Sequence, residues 1–294
     1  MPIGIPGTSA YDFNLTRNQI VEMAYGNIGV LADGETLGSD LLTKGVQKLN
    51  LIVRKIDVAG KWLWTINATP TTLTLVANQF VYDTDDTLPT NVLELVTASY
   101  RDAQANDTPL KLLTTEGYEQ IADKIQVGDP ACIYLTEHKT LASRTLFVTP
   151  MLSSVNTQSV ITGSDSAAWK CIRSHTADST NKPITGANYL LFWESGGTTS
   201  GAWATGTSYT APQHLRLWYR RPLSDFDAAG DNPDFPSQWT DHLVWKLSEA
   251  LAPSHAIPLE ERVYLGRMAA QSYEDIFPSV RTNTTDTQHH VDYF

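Results

Sequence analysis

Four glutamates, Glu116, Glu119, Glu137 and Glu194, are the residues from which a glycoside-cleaving acid/base pair would have to be drawn. That chemistry needs two carboxyl groups a fixed distance apart, one to protonate the leaving oxygen and one to attack the sugar or activate water. Nothing in their spacing sets any two of them opposite each other. Cys171 and His175 have the C-x3-H spacing of half a zinc site, but no second pair follows at a suitable distance. His289-His290 reads as an exposed doublet. Two acidic stretches, Asp83-Thr84-Asp85-Asp86 and Asp225-Phe226-Asp227-Ala228-Ala229-Gly230, hint at calcium loops. The first lacks the glycine at the sixth position. The second has Ala229 where an oxygen ligand belongs and Pro236 where a bidentate glutamate belongs. Both read as solvated acidic loops. No Walker A loop, no GxGxxG after a strand, no HExxH and no GxSxG occurs. The expectation is a protein that is not an enzyme, with no cofactor and no metal.

The remaining chemistry is aromatic. Trp169, Tyr189, Trp193 and Trp203 fall close together in a stretch rich in Ser, Thr and Gly. On a flat face they would contact carbohydrate or a fibre; alternatively, a module of about 60 residues needs them for its own core. At the far end, Val291, Tyr293 and Phe294 make an apolar tip on a polar segment, suited to filling pockets on another protein.

Elements that would position these residues follow from the periodicity. Ile20, Met23, Ala24 and Ile28 recur at helical spacing behind a cap at Asn14 or Thr16, and Leu42, Val46, Leu49, Ile52, Val53 and Ile56 line a second helix starting near Ser39. Trp239, Leu243, Leu247 and Leu251 mark a third, stopped at Pro253. Leu265, Met268, Ala269, Ser272 and Ile276 mark a fourth, starting at Pro258 and ending at Pro278. The four span 15–29, 39–58, 237–252 and 258–277, each with one apolar stripe to bury against the others. Between the pairs the period shortens. Residues 71–76 and 79–82 read as paired strands, 92–100, 131–135 and 145–148 as further strands, and 115–124 as a short helix. The strand at 215–219 is expected to pair with 145–148 across the Trp-rich stretch. The fold class is therefore α+β: a four-helix core with a small antiparallel β region, an inserted all-β module and an extended C-terminal tail. The core comprises 1–151 and 211–278, the module 152–210 and the tail 279–294.

Composition narrows the class. The 294 residues are 41% hydrophobic and 18% charged, which is globular. No apolar run approaches a membrane span, and the first residues lack the basic and apolar regions of a secretory signal. Two cysteines, Cys132 and Cys171, sit in different segments and read as reduced, partly buried thiols of a chain folding in a reducing cytoplasm. A net charge of −11 disfavours gripping nucleic acid, yet leaves DNA free to pass nearby, since like charges repel.

Four strings then carry a resemblance: Tyr100-Arg101 followed by Asp107-Thr108-Pro109-Leu110; Tyr118 through Lys124 to Gly128-Asp129-Pro130; Leu217-Trp218-Tyr219-Arg220-Arg221-Pro222-Leu223 with Asp225-Phe226; and Asp234-Phe235-Pro236 with Trp239 and Leu243. In order and spacing, over roughly 12–150 and 211–278, the chain resembles the head-to-tail adaptor proteins of short-tailed phages, also described as packaged-DNA stabilisation or tail accessory factors. The inserted stretch, which shorter members lack, is similar to small aromatic β modules of phage tail proteins and, more distantly, to chitin-binding-type modules. The resemblance implies a virion protein at the head–tail junction, assembled in the host cytoplasm as a twelve-subunit ring below the portal protein. That ring extends the channel for packaged DNA, without sequence-specific binding, and offers a platform to the tail nozzle, tube or fibre protein. It implies contact with portal through the C-terminal tail and no membrane. A peptidoglycan-degrading tail enzyme and a carbohydrate-binding tail protein are the alternatives.

Overall fold

The computed structural model describes residues 15–281, apart from 33, 60–62, 87, 199–200 and 233. In chain order the elements are α1 (Arg17–Asn27), α2 (Ser39–Ala59), β1 (Thr71–Thr74), β2 (Val81–Tyr82), β3 (Glu94–Arg101), β4 (Asp107–Pro109), β5 (Lys111–Leu112), α3 (Thr115–Glu119), β6 (Cys132–Leu135), β7 (Leu146–Thr149), β8 (Val160–Thr162), β9 (Ala168–Cys171), β10 (His175–Thr176), β11 (Trp193–Ser195), β12 (Ser208–Tyr209), β13 (His214–Arg220), α4 (Thr240–Leu251) and α5 (Leu259–Arg281). They divide into two units, one running up to Trp64 and resuming at Leu223, the other Thr65–Pro222.

In the first unit α4 packs on α1, α2 and α5. Helix α1 starts with a capping box: Gln19 N–H donates to the Thr16 hydroxyl and Thr16 N–H to Gln19 Oε1. Its buried residues are Ile20, Val21, Ala24 and Tyr25; Met23, expected on that face, is exposed. Gly45 lets α1 and α2 approach, because a Cβ there would lie 2.4 Å from Val21 Cγ1. Leu49, Leu243 and Leu247 are fully buried in the shared core. Helix α5 runs three residues past Pro278, where the sequence placed its end.

The second unit overturns the expected fold class. The β region is not a small annex to a four-helix core. Among the described residues thirteen strands form four sheets, alongside four longer helices and the short α3. Helices and strands bury separate cores: Leu73, Ile133, Leu146, Leu215 and Leu217 belong to a cluster distinct from that of α1, α2, α4 and α5. The strands are mostly two to four residues long, too short to announce themselves by alternation. Their pairing also differs. β1 and β2 do not pair with each other: β1 joins β13, and β2 joins β7. Asn78, at φ 58°, turns the chain between them and donates its N–H to Leu152 O, so the two strands enter different sheets. Nor does β13 pair with β7; it lies between β1 and β3 in the order β1-β13-β3-β4, while β7 sits in β2-β7-β6-β5. Among the named strands the pairings are antiparallel except β5 with β6.

Residues between β7 and β13 form two further sheets, β11-β9-β8 and β10-β12, around a third core that includes Ile161, Trp169, Cys171, Trp193 and Tyr209. Ser159 N–H donates to Thr210 O, closing the base of this segment, and Ser174 N–H donates to Ala103 O beyond the end of β3.

Candidate functional site

Alternation along β13 gives its sheet two chemically different faces. Leu215, Leu217 and Tyr219 point into the core, joined by Leu73 of β1 and by Ala98 and Tyr100 of β3. The opposite face carries the cross-strand row Thr74, His214, Arg101, Asp107, and next to it the row Thr72, Arg216, Ser99, Pro109. Asp107 is gripped from both rows. Arg101 donates through Nε to Oδ1 at 2.7 Å and through Nη2 to Oδ2 at 2.5 Å, and Arg216 Nη1 donates to Oδ2 at 2.6 Å. These hydrogen bonds, led by that of Arg101, hold the Asp107 carboxyl below the usual carboxylate range. The Arg216 guanidinium also lies over the Trp218 ring, 5.1 Å from its centroid. Asp102 shapes the β3–β4 turn by accepting from the N–H groups of Gln104 and Asn106.

Two of the four strings that carry the sequence resemblance thus lie on adjacent strands of one sheet. In the string from Tyr118 to Pro130, Tyr118 is buried and stacked on Tyr134, with Lys124 Nζ 5.2 Å from its ring centroid. In the string starting at Asp234, Phe235, Trp239 and Leu243 lie in the helical core.

The aromatic residues of the inserted segment pack mainly on one another. Trp193 is 1% exposed, donates Nε1–H to Asn181 O at 2.8 Å, and meets Tyr209 edge-on. Trp169 is also buried, edge-on to the half-buried Tyr189, with Nε1–H on Asp165. Trp203 is half-buried under the Lys182 ammonium. Trp169 and Trp193 belong to the module's core. Cys171 and His175 do come together, with Sγ and Nδ1 3.8 Å apart, but both are directed to Arg173 O, the first at 3.1 Å and the second at 2.8 Å. Burial pushes the Cys171 thiol up to about 11. Among the described residues no group of three or more His, Cys, Asp or Glu is placed to hold a metal.

Glu116, Glu119, Glu137 and Glu194 are all exposed; Glu119 pairs with Lys124 and Glu194 with Lys170, each at 3.2 Å. The acidic loops use their carboxylates on turns and ion pairs. Asp231 accepts from the N–H groups of Asp227 and Ala228, Asp225 pairs with Arg54, and Asp86 accepts from Gln79 Nε2. Val291, Tyr293 and Phe294, together with His289 and His290, lie outside the described residues. No helix among the described residues is long and apolar enough to cross a membrane.

Nothing in the sequence groups Thr72, Thr74, Arg101, His214 and Arg216. The alternation of β13 was legible, but the partners of its outward face were not. No family model matches the chain, and no curated protein matches it.

Proposed function

We propose that this chain is a structural head-to-tail adaptor of a tailed phage virion. It assembles as a ring, twelve-fold by the sequence resemblance, below the portal protein. The ring extends the channel for packaged DNA and presents a docking platform to the tail nozzle, tube or fibre protein. One observation supports this reading most: strings far apart in sequence, Tyr100-Arg101 with Asp107-Thr108-Pro109 and Leu217 to Arg220, lie on neighbouring strands of one sheet. Residues distant in the chain are thereby joined in one surface of the sheet, which is in keeping with a pattern defined by order and spacing. The acidic balance of −11 is in keeping with a channel past which DNA slides. The test is mass measurement of the purified chain alone and mixed with portal, with electron microscopy of the mixture. The expected outcome is a monomer that becomes a closed ring on portal. A chain that ignores portal would overturn the adaptor reading, and one that clears purified cell walls in a manner abolished by substituting one glutamate would replace it with that of a tail enzyme.

A further inference from the structure

The outward face of β1, β13 and β3 is not open surface throughout. Gln158, Lys170, Ile172 and Glu194 of the inserted segment stand across from it and enclose a cleft of about 420 Å³, whose other wall is Thr72, Thr74, Arg101, His214 and Arg216. This volume is at the lower end of the range for small-molecule sites.

Charge in the cleft does not cancel. Lys170 is matched by Glu194, but the two guanidiniums of Arg101 and Arg216 share the single carboxylate of Asp107. Burial holds His214 below its ordinary value of 6.5, so it adds little positive charge at neutral pH. Three cations against two carboxylates leave one positive charge inside a chain of net charge −11. Donors remain to deliver it: Arg101 Nη1 and Arg216 Nε and Nη2 have no partner among the described residues. The Thr72 and Thr74 hydroxyls are also unengaged and exposed on the same wall. Gln158 places its amide opposite, with Nε2 on Cys171 O. A planar guanidinium fork presented beside neutral hydroxyl and amide groups is matched by a ligand with one carboxylate and several hydroxyls.

We infer that this cleft binds a carboxylate-bearing sugar, a uronic-acid unit of an acidic saccharide, with its carboxylate on Arg216 and Arg101 and its hydroxyls on Thr72, Thr74 and Gln158. This site goes beyond the adaptor role and does not depend on ring assembly. It differs from the aromatic platform considered from the sequence, since it uses none of the module's tryptophans.

The full chain is titrated with digalacturonate, a neutral disaccharide and inorganic phosphate, using calorimetry and ligand-observed NMR. Digalacturonate should bind, with the neutral disaccharide and phosphate each at least about tenfold weaker. Arg216→Gln should weaken binding by roughly tenfold or more, and Thr74→Val by about threefold with unchanged thermal unfolding. Should Arg216→Gln fail to fold because Asp107 loses a partner, Thr74→Val on its exposed position decides the matter. Phosphate binding as tightly as digalacturonate would reduce the cleft to a generic anion site and overturn the assignment. So would equal affinity for the neutral sugar, no binding by any probe, or a Thr74→Val chain that binds like the original.

Discussion

At the scale of single residues, His242 links burial to pH. It is 5% exposed, and its Nδ1 lies 3.1 Å from both Ala269 O and Ser272 Oγ. Burial lowers its pKa below 6.5, against the hydrogen bond to Ala269, with Lys246 lowering it further and Asp241 and Glu249 opposing. The unfolded chain therefore binds a proton near pH 6.5 that the folded chain refuses. Stability is complete above about pH 6.5 and is lost as the pH falls below it, at up to about 1.4 kcal/mol per pH unit for one group. His175 and His214 are lowered in the same direction by burial, so the whole-chain slope is composite. The informative measurement is the difference between wild type and His242→Asn in urea unfolding at pH 7.5 and pH 5.5. The variant should be less stable at both, with the gap narrowing at the lower pH; a constant gap would mean His242 is charged in the folded state or stays hydrated.

At the scale of elements, the helical unit turns on close approach. Gly45 is internal to α2, where alanine would ordinarily add about 1 kcal/mol of helix propensity. Its added Cβ would lie 2.4 Å from Val21 Cγ1 and 3.1 Å from Tyr25 Cε2, and both residues are fully buried. Tyr25 is further fixed by its hydroxyl donating to Leu41 O. The steric cost of overpacking, about 1–3 kcal/mol, should outweigh the propensity gain. Gly45→Ala is therefore expected to lower the unfolding midpoint, while Gly38→Ala, where nothing lies within 4 Å, should not. An equally stable or more stable Gly45→Ala protein would show that α1 and α2 do not cross at this residue.

At the scale of the whole molecule, assembly is proposed to be separable from folding. The chain continues 13 residues beyond Arg281, the last residue of α5, and carries Val291, Tyr293 and Phe294. An extended segment of that length reaches up to about 40 Å, enough to contact a neighbouring protein. Many weak contacts repeated around a ring would add up by avidity. Truncation after Arg281 should leave thermal unfolding within about 1 °C of the full chain, since every described core residue is kept, and should abolish co-sedimentation with portal. Normal binding by the truncated chain would assign portal contact to residues before 282 instead.

The four longer helices were written locally. Apolar residues three and four apart placed them, and Thr16 with Gln19 marked the start of α1, because a helix closes its hydrogen bonds within its own stretch of chain. Strand partnership is different in kind. Leu215 of β13 faces Leu73 on one side and Tyr100 on the other, and nothing near Leu215 in sequence names either. Short strands such as β2, β5, β10 and β12 form only because a neighbouring strand supplies their hydrogen bonds, so the extent of the β structure was under-read. The cleft was hidden for the same reason. Arg101, Arg216 and Lys170 are unremarkable as isolated basic residues in an acidic chain. Only register, which puts Arg101 beside His214 and Thr72 beside Arg216, and the packing of Gln158 and Lys170 across that face, make them one site.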